Sequence, residues 1–418
     1  MTKLAEAKTG ARFATAAWTA AAIAVIGFNL RPAVSGVGPI LAEILRALDT
    51  GPIVAGILTT APVICFGIVG PVTPGLAHRF GTERVILVSL GALTIGTAIR
   101  GLGGIDLLLL GMAVAGLAIG MVNVLLPAVI KQDFPTRIGA LTGLYTSALC
   151  VGAASAALAT PPFERAVHGD WRAGLVLWAL PAAIATVIWL PQLARRRPTD
   201  RRQAGLRHDL WRNALAWQVT LFITALTSLA YSMFAWGPKL LQDRGMSVDG
   251  SAEQMALCFG IQALSGFFVP LWGARRGDQR VLAAVTAAMS CLGLFGWIFA
   301  PLGSAFIWSI LCGIGQGGAF GLALALIGLR AGSAQTAARL SGMANTVCYI
   351  AGGLAGPFAV GLVHQITGGW AGVAVLFALM AGVGMAAGLG AGRKLVVDRR
   401  PLDHSIPIRT QQELKKMP

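Results

Sequence analysis

Apolar stretches of about the same length recur along the whole chain, each closed by a short polar segment. A membrane-crossing helix needs about 20 mostly apolar residues. Twelve stretches meet that need, near 15–40, 51–74, 84–102, 106–129, 138–160, 171–193, 213–236, 252–273, 281–300, 305–328, 341–364 and 371–392. The longest polar segment, 194–212, divides six of them from six. It holds Arg195, Arg196, Arg197, Arg201, Arg202, Arg207 and Arg212, with Pro198 to interrupt a helix. The pattern predicts an all-α membrane protein of twelve transmembrane helices in two six-helix bundles. Its parts are a tail 1–14, a bundle 15–193, a basic linker 194–212, a bundle 213–392 and a tail 393–418.

The two halves read as a distant repeat. In each, the loop after the second span is short and basic, Gly75 to Arg84 and then Gly273 to Arg280. In each, the loop after the fourth span ends in an arginine followed by a glycine-containing helix, at Arg137 and at Arg339. Repeated halves are the layout of secondary transporters that rock around a midplane site.

Composition supports the pattern and settles the meaning of the charge. Charged residues make up 12% of the chain and hydrophobic ones 56%, against about 25% charged in an ordinary soluble protein. The 54 glycines suit close packing of membrane helices. The net charge of +16 is unevenly placed: 26 of the 33 Lys and Arg fall on one side of the spans and six on the other, with Arg31 inside a span. That asymmetry is the positive-inside rule, which predicts both termini in the cytoplasm. The charge is therefore topology, and no nucleic-acid partner is expected. The six cysteines all lie in apolar segments without a metal-binding spacing, so no metal or cofactor is expected.

Arg31 is the informative exception to the apolar interior. With Ala24, Phe28 and Ser35 it shares one helical face, and Pro32 follows it directly. A charge at membrane depth costs roughly 3 kcal/mol on insertion scales and usually marks a substrate path. The alternative is an arginine that reaches the interface or pairs structurally. A guanidinium offers a planar fork of donors suited to an anion or a flat polar acceptor. No Asp or Glu lies at comparable depth; Glu43, Asp106 and Glu253 are near span ends. The same absence argues against a carboxylate proton relay, although a substrate could itself travel with a proton. Other polar groups within spans are Asn29, Asn123, Tyr145, Tyr231, Gln262, Gln316, Asn345 and Tyr349, with Phe28 and Trp236 as candidate walls. Amides of this kind also serve simply to hold helices together. The sequence Gly313 to Gly318 matches GxGxxG, but no strand precedes it.

The loop from Pro74 to Arg84 resembles the signature loop of the major facilitator superfamily. Arg79 and Gly81 fit in register, Gly75 and Arg84 sit one place late, and His78 stands where the family usually has Asp. Leu30 to Val34, Asn123 to Pro127, Ile130 to Pro135, Leu141 to Tyr145, Leu215 to Phe222, Gly328 to Ala331 and Leu340 to Ala344 together resemble its cyanate permease and 2-nitroimidazole transporter family. The resemblance implies alternating access by two bundles and a small anionic or planar nitrogenous solute. It also implies gating roles for Gly75, His78, Arg79, Gly81, Arg84, Asp133, Arg137, Arg275 and Arg339, and places Arg31, Asn123, Tyr145 and Asn345 on cavity-lining helices. The expected protein is a monomeric transporter of the bacterial inner membrane, not an enzyme, with Arg31 as substrate anchor. Drug-type efflux of neutral or cationic compounds is the alternative.

Overall fold

The computed structural model describes residues 2–50, 52–167, 170–194 and 210–397. Most of the arginine-rich linker, 195–209, and the tail beyond Val397 lie outside the described residues. The described chain is helical throughout, with no strand. Its main helices are α1 (Thr2–Asn29), α2 (Pro52–Ile68), α3 (Thr82–Ile99), α4 (Ile105–Asp133), α5 (Ile138–Ala166), α6 (Ala179–Trp189), α7 (Ala214–Asp243), α8 (Val248–Ala274), α9 (Arg280–Phe299), α10 (Ala305–Arg330), α11 (Ala334–Gly353) and α12 (Trp370–Ala391). Eleven helical stretches are long and apolar enough to cross a membrane. The pair Ala61–Ile68 and Thr73–Phe80, bent by 57°, makes a twelfth. Leu158, Val281 and Val88 turn outward with exposures of 76%, 74% and 70%. Large apolar side chains on an outer surface belong against lipid.

Local chemistry sets where helices start and stop. Asn213 Oδ1 accepts from the backbone N–H groups of Leu215 and Ala216 at 2.9 and 3.1 Å, and Ser247 Oγ accepts from Gly250 at 3.0 Å. These caps satisfy N–H groups that the first helical turn cannot. α1 begins at Thr2, well before the predicted start at 15, in a stretch rich in alanine. The sixth predicted span, 171–193, is two helices, Trp171–Val176 and Ala179–Trp189. The first predicted span, 15–40, is not one helix either. Proline has no N–H, so Pro32 cannot donate back to the turn before it. The helix stops at Asn29 and resumes as the short segment Pro32–Ser35. Arg31 is the joint between them.

We call the face that carries the loops 74–84, 274–280 and 331–339 the basic face, and its opposite the far face. On the basic face α10 closes the end of α12. The Arg330 guanidinium donates to the carbonyls of Ala391 at 2.7 Å and Gly392 at 3.0 Å, and to Gln279 Oε1. Positive charge suits a helix C-terminus, where carbonyls lack partners. Arg330 is 4% exposed, so its loss strands buried acceptors. Arg330→Met is expected to lower stability by about 3 kcal/mol, read as a fall in Tm in detergent.

The halves meet along a seam of small residues, and its close contacts run from the basic face to mid-depth. A Cβ added at Gly139 of α5 would lie 2.3 Å from both the Pro270 carbonyl oxygen and the Ala274 Cβ of α8. One added at Gly143 would lie 2.6 Å from the Phe267 carbonyl oxygen. Higher on the same helices, Ser147 Oγ donates to the Ala263 carbonyl at 2.9 Å. On the other side of the seam, Gly70 approaches the Gly342 carbonyl of α11. Thr346 Oγ1 donates to the Gly67 carbonyl at 3.1 Å.

Candidate functional site

Arg31 sits just above the end of this seam, at the break in α1. A residue at a helix break can aim its side chain along directions a regular helix denies. The Tyr231 hydroxyl on α7 is foremost among the groups that act electrostatically on its guanidinium. Tyr349, Cys150 and Tyr145 are its other electrostatic neighbours. These come from α7, α11 and α5, so both halves contribute. Among the described residues, no carboxylate acts on Arg31. The residue is itself partly exposed, unlike the fully covered Leu30 beside it. A charged fork with tyrosine hydroxyls around it can hold an anionic or hydrogen-bond-accepting group.

An aromatic series extends from this point. Phe66 of α2 meets Tyr349 edge-on at 5.1 Å, and Tyr349 lies 6.4 Å from Tyr231. Tyr231 meets Phe234 at 6.0 Å and Phe234 meets Phe259 at 5.2 Å, both edge-on. Below Arg31, α1 passes so close to α5 that a Cβ at Gly27 would lie 2.9 Å from the Tyr145 ring. The Tyr145 hydroxyl donates to Asn123 Oδ1 at 2.5 Å, and Ser341 Oγ donates to the Asn123 carbonyl at 3.4 Å. Asn123 thereby joins α4, α5 and α11 beneath the arginine.

The other candidates fall in different surroundings. Asn345 donates to the Ser341 carbonyl at 2.8 Å, and Asn29 to the Val25 carbonyl at 2.8 Å, both within their own helices. Phe28 packs toward Trp178 at 6.5 Å. Gln316 is 1% exposed, and its Nε2 has no partner among the described residues. Gln262 on α8 is half-buried, its backbone carbonyl accepting from Ser265 Oγ at 3.2 Å. Trp236 stands apart. Its Nε1 donates to the Pro357 carbonyl at 2.9 Å, and its ring faces His364 and Trp370, each at 6.3 Å, near the far face.

The loop residues gather on the basic face. Gly75, His78, Arg79, Arg84, Arg137 and Arg275 are exposed, whereas Asp133 and Arg339 are half-buried. The Arg79 guanidinium lies 5.2 Å from the Phe80 ring centroid. Gly81 turns the chain into α3 with φ +93°, a conformation that costs other residues.

Phe66, Cys150 and Ser341 were missed by reading polarity at depth, because two are small or apolar and one is a cysteine in an apolar run. Their relation to Arg31 is made by helices distant in sequence. Arg100, which falls within the predicted span 84–102, was also missed, and it is fully buried.

Twelve apolar crossings in two bundles, joined along one seam, are the frame of a membrane transporter. Comparison with known proteins supplies the family. The sequence profile of the Major Facilitator Superfamily matches residues 17–357, and the chain belongs to that superfamily. It is 35% identical to the uncharacterized transporter YycB of Bacillus subtilis (strain 168), over 90% of this chain and 94% of that one. It is 36% identical to the 2-nitroimidazole transporter of Escherichia coli (strain K12), over 88% and 94%. The cyanate transport protein CynX of the same organism is 29% identical over 83% and 90%. Among solved structures, the E. coli fucose:proton symporter FucP superposes with a TM-score of 0.69 at 14% identity. That match covers 90% of this chain and 98% of FucP. The chain is a transporter, and its relatives are transporters, not enzymes.

Proposed function

We propose that this chain is a secondary transporter that moves a small anionic or planar polar solute, cyanate-like or nitroimidazole-like, by alternating access across the bacterial cytoplasmic membrane. The observation that carries the reading is Arg31. It is a cation at a helix break whose electrostatic neighbours include tyrosines of the opposite half and, among the described residues, no carboxylate. The named substrates of two relatives, 2-nitroimidazole and cyanate, fit the same chemistry.

The positive-inside rule makes the basic face cytoplasmic. With the halves in contact on that face, this reading has the solute approach Arg31 from the far face, as in an outward-facing arrangement. Exchange to the other side separates α5 from α8 and α2 from α11, and the exposed arginines of the basic loops lie where they can respond to that separation.

Counterflow in vesicles reconstituted with the purified protein tests the reading. Cyanate or a nitroimidazole is expected to exchange saturably, and a lipophilic cation such as tetraphenylphosphonium is not. Cation exchange without anion or azole exchange would overturn the proposal in favour of drug-type efflux.

A further inference from the structure

A second arginine, at the far-face end of the first bundle, is not used by the mechanism above. Arg100 follows α3 directly and is 0% exposed. Its Nη1 donates to the Ala33 carbonyl at 2.6 Å and lies 3.3 Å from Met112 Sδ. Its Nε donates to the Thr97 carbonyl at 3.4 Å. Its Nη2, buried with the rest, has no partner among the described residues.

One turn earlier, Thr97 is also 0% exposed, and its hydroxyl likewise has no partner. This differs from the same helix a turn lower. There Ser89 donates to the Val85 carbonyl at 2.8 Å and Thr94 to the Leu90 carbonyl at 2.9 Å. The neighbouring helix makes room for the arginine. A Cβ at Gly111 of α4 would lie 2.6 Å from Arg100 Cγ.

An arginine cannot shed its proton at any ordinary pH, so burial leaves a full charge in place. Among the described residues, no carboxylate acts on it. The bound carbonyls offset part of that charge, yet two N–H bonds of Nη2 and one hydroxyl remain without acceptors. An uncompensated buried ion is among the most costly features a fold can keep.

We propose that Arg100 Nη2 and Thr97 Oγ1 hold a small monovalent inorganic anion of the halide class, between α3, α4 and the segment Pro32–Ser35. The wall beside it is mostly apolar: Met112 belongs to a small core with Val37, Ile40, Leu108 and Trp171, whose buried Nε1 likewise has no partner among the described residues. Three donor hydrogens and an apolar wall suit a single weakly hydrated charge, whereas a phosphate needs more donors. Ala33 lies two residues beyond Arg31, so the bound anion also braces the joint that carries the transport arginine.

The test is thermal unfolding of the full-length protein in detergent, titrating sodium chloride or bromide against sodium gluconate at constant ionic strength. The wild-type Tm is expected to rise saturably with halide. Thr97→Val shifts the midpoint to about fivefold higher halide, the worth of one hydrogen bond, and Arg100→Gln abolishes the response. Should Arg100→Gln fail to fold, the wild-type titration and Thr97→Val still decide the matter. Equal Tm in gluconate and halide at every concentration overturns the proposal. The Arg31→Gln variant separates the two arginines. A retained halide response in it supports the Arg100 site, and a lost response places the anion at Arg31 and overturns the proposal.

Discussion

Arg31→Gln and Arg31→Ala are expected to weaken solute binding by about 100-fold or more while the protein still folds. A hydrogen bond to a charged group contributes about 1.5–3 kcal/mol, and a guanidinium makes two to a suitable anion or planar acceptor. Arg31→Lys keeps the charge and loses the fork, so its loss is expected to be smaller, about tenfold. Stability is expected to move the other way. A cation at membrane depth without a carboxylate costs roughly 3 kcal/mol, and the glutamine variant removes that cost. Its Tm in detergent is therefore expected to equal or exceed that of the parent. Binding of cyanate or an azole by calorimetry, beside the melting curve, checks both halves of the statement. Unchanged affinity in the glutamine variant would remove Arg31 from the binding site.

Two glycines on one helix are expected to respond in opposite ways to the same substitution. Gly139 and Gly152 both lie on α5. Gly139 faces α8 of the other half, with an added Cβ at 2.3 Å from the Pro270 carbonyl oxygen. Gly152 faces α1 of its own half, with an added Cβ at 2.0 Å from the Phe28 carbonyl oxygen. The first contact can be escaped by separating the halves, as the proposed alternating access requires. The second exists in every state of the bundle.

Gly139→Val is thus expected to shift the population away from the present arrangement, leaving the bundles themselves intact. Overpacking of this kind costs about 1–3 kcal/mol, which corresponds to about 5- to 150-fold in the ratio of two states. Spin labels on the basic ends of α5 and α8 would record a longer distance. Gly152→Val has no such escape, and is expected to lower Tm without favouring either state. A longer label distance in Gly152→Val, or none in Gly139→Val, would contradict the assignment of these contacts to the seam and to the bundle.

Much of this could be read from the chain alone, for a physical reason. A bilayer demands about twenty apolar residues per crossing, so the crossings announce themselves, and the repeated loops at Gly75 and Gly273 reveal the halves. Arg31 was legible because charge is rare at depth. The break beside it was less so: Pro32 predicts an interruption, but helices also tolerate proline, as Pro127 in α4 and Pro238 in α7 show. Neighbours were not legible at all. Nothing in the order of residues says that Tyr231 neighbours Arg31 or that Trp236 turns instead toward Trp370. Asn29 and Asn345 look like Asn123 in the sequence, yet only Asn123 bonds across helices. Depth and polarity are local properties, whereas partnership depends on how helices two hundred residues apart are turned.

The seam described above has a further consequence for speed. At Gly139, Gly143 and Gly70 the seam is glycine backbone resting on carbonyls, with hydroxyl bonds from Ser147 and Thr346 beside them. Where glycine backbone meets a carbonyl, parting the halves exposes no side chain at that point. Interdigitated leucines would have bolted the basic face shut and left the solute to supply the whole cost of release. A glycine seam behaves more like two smooth plates, easily parted and easily rejoined. On the proposed reading, a small anion settling on Arg31 has little to overcome at these glycine contacts, and the gradients across the membrane set the direction of travel.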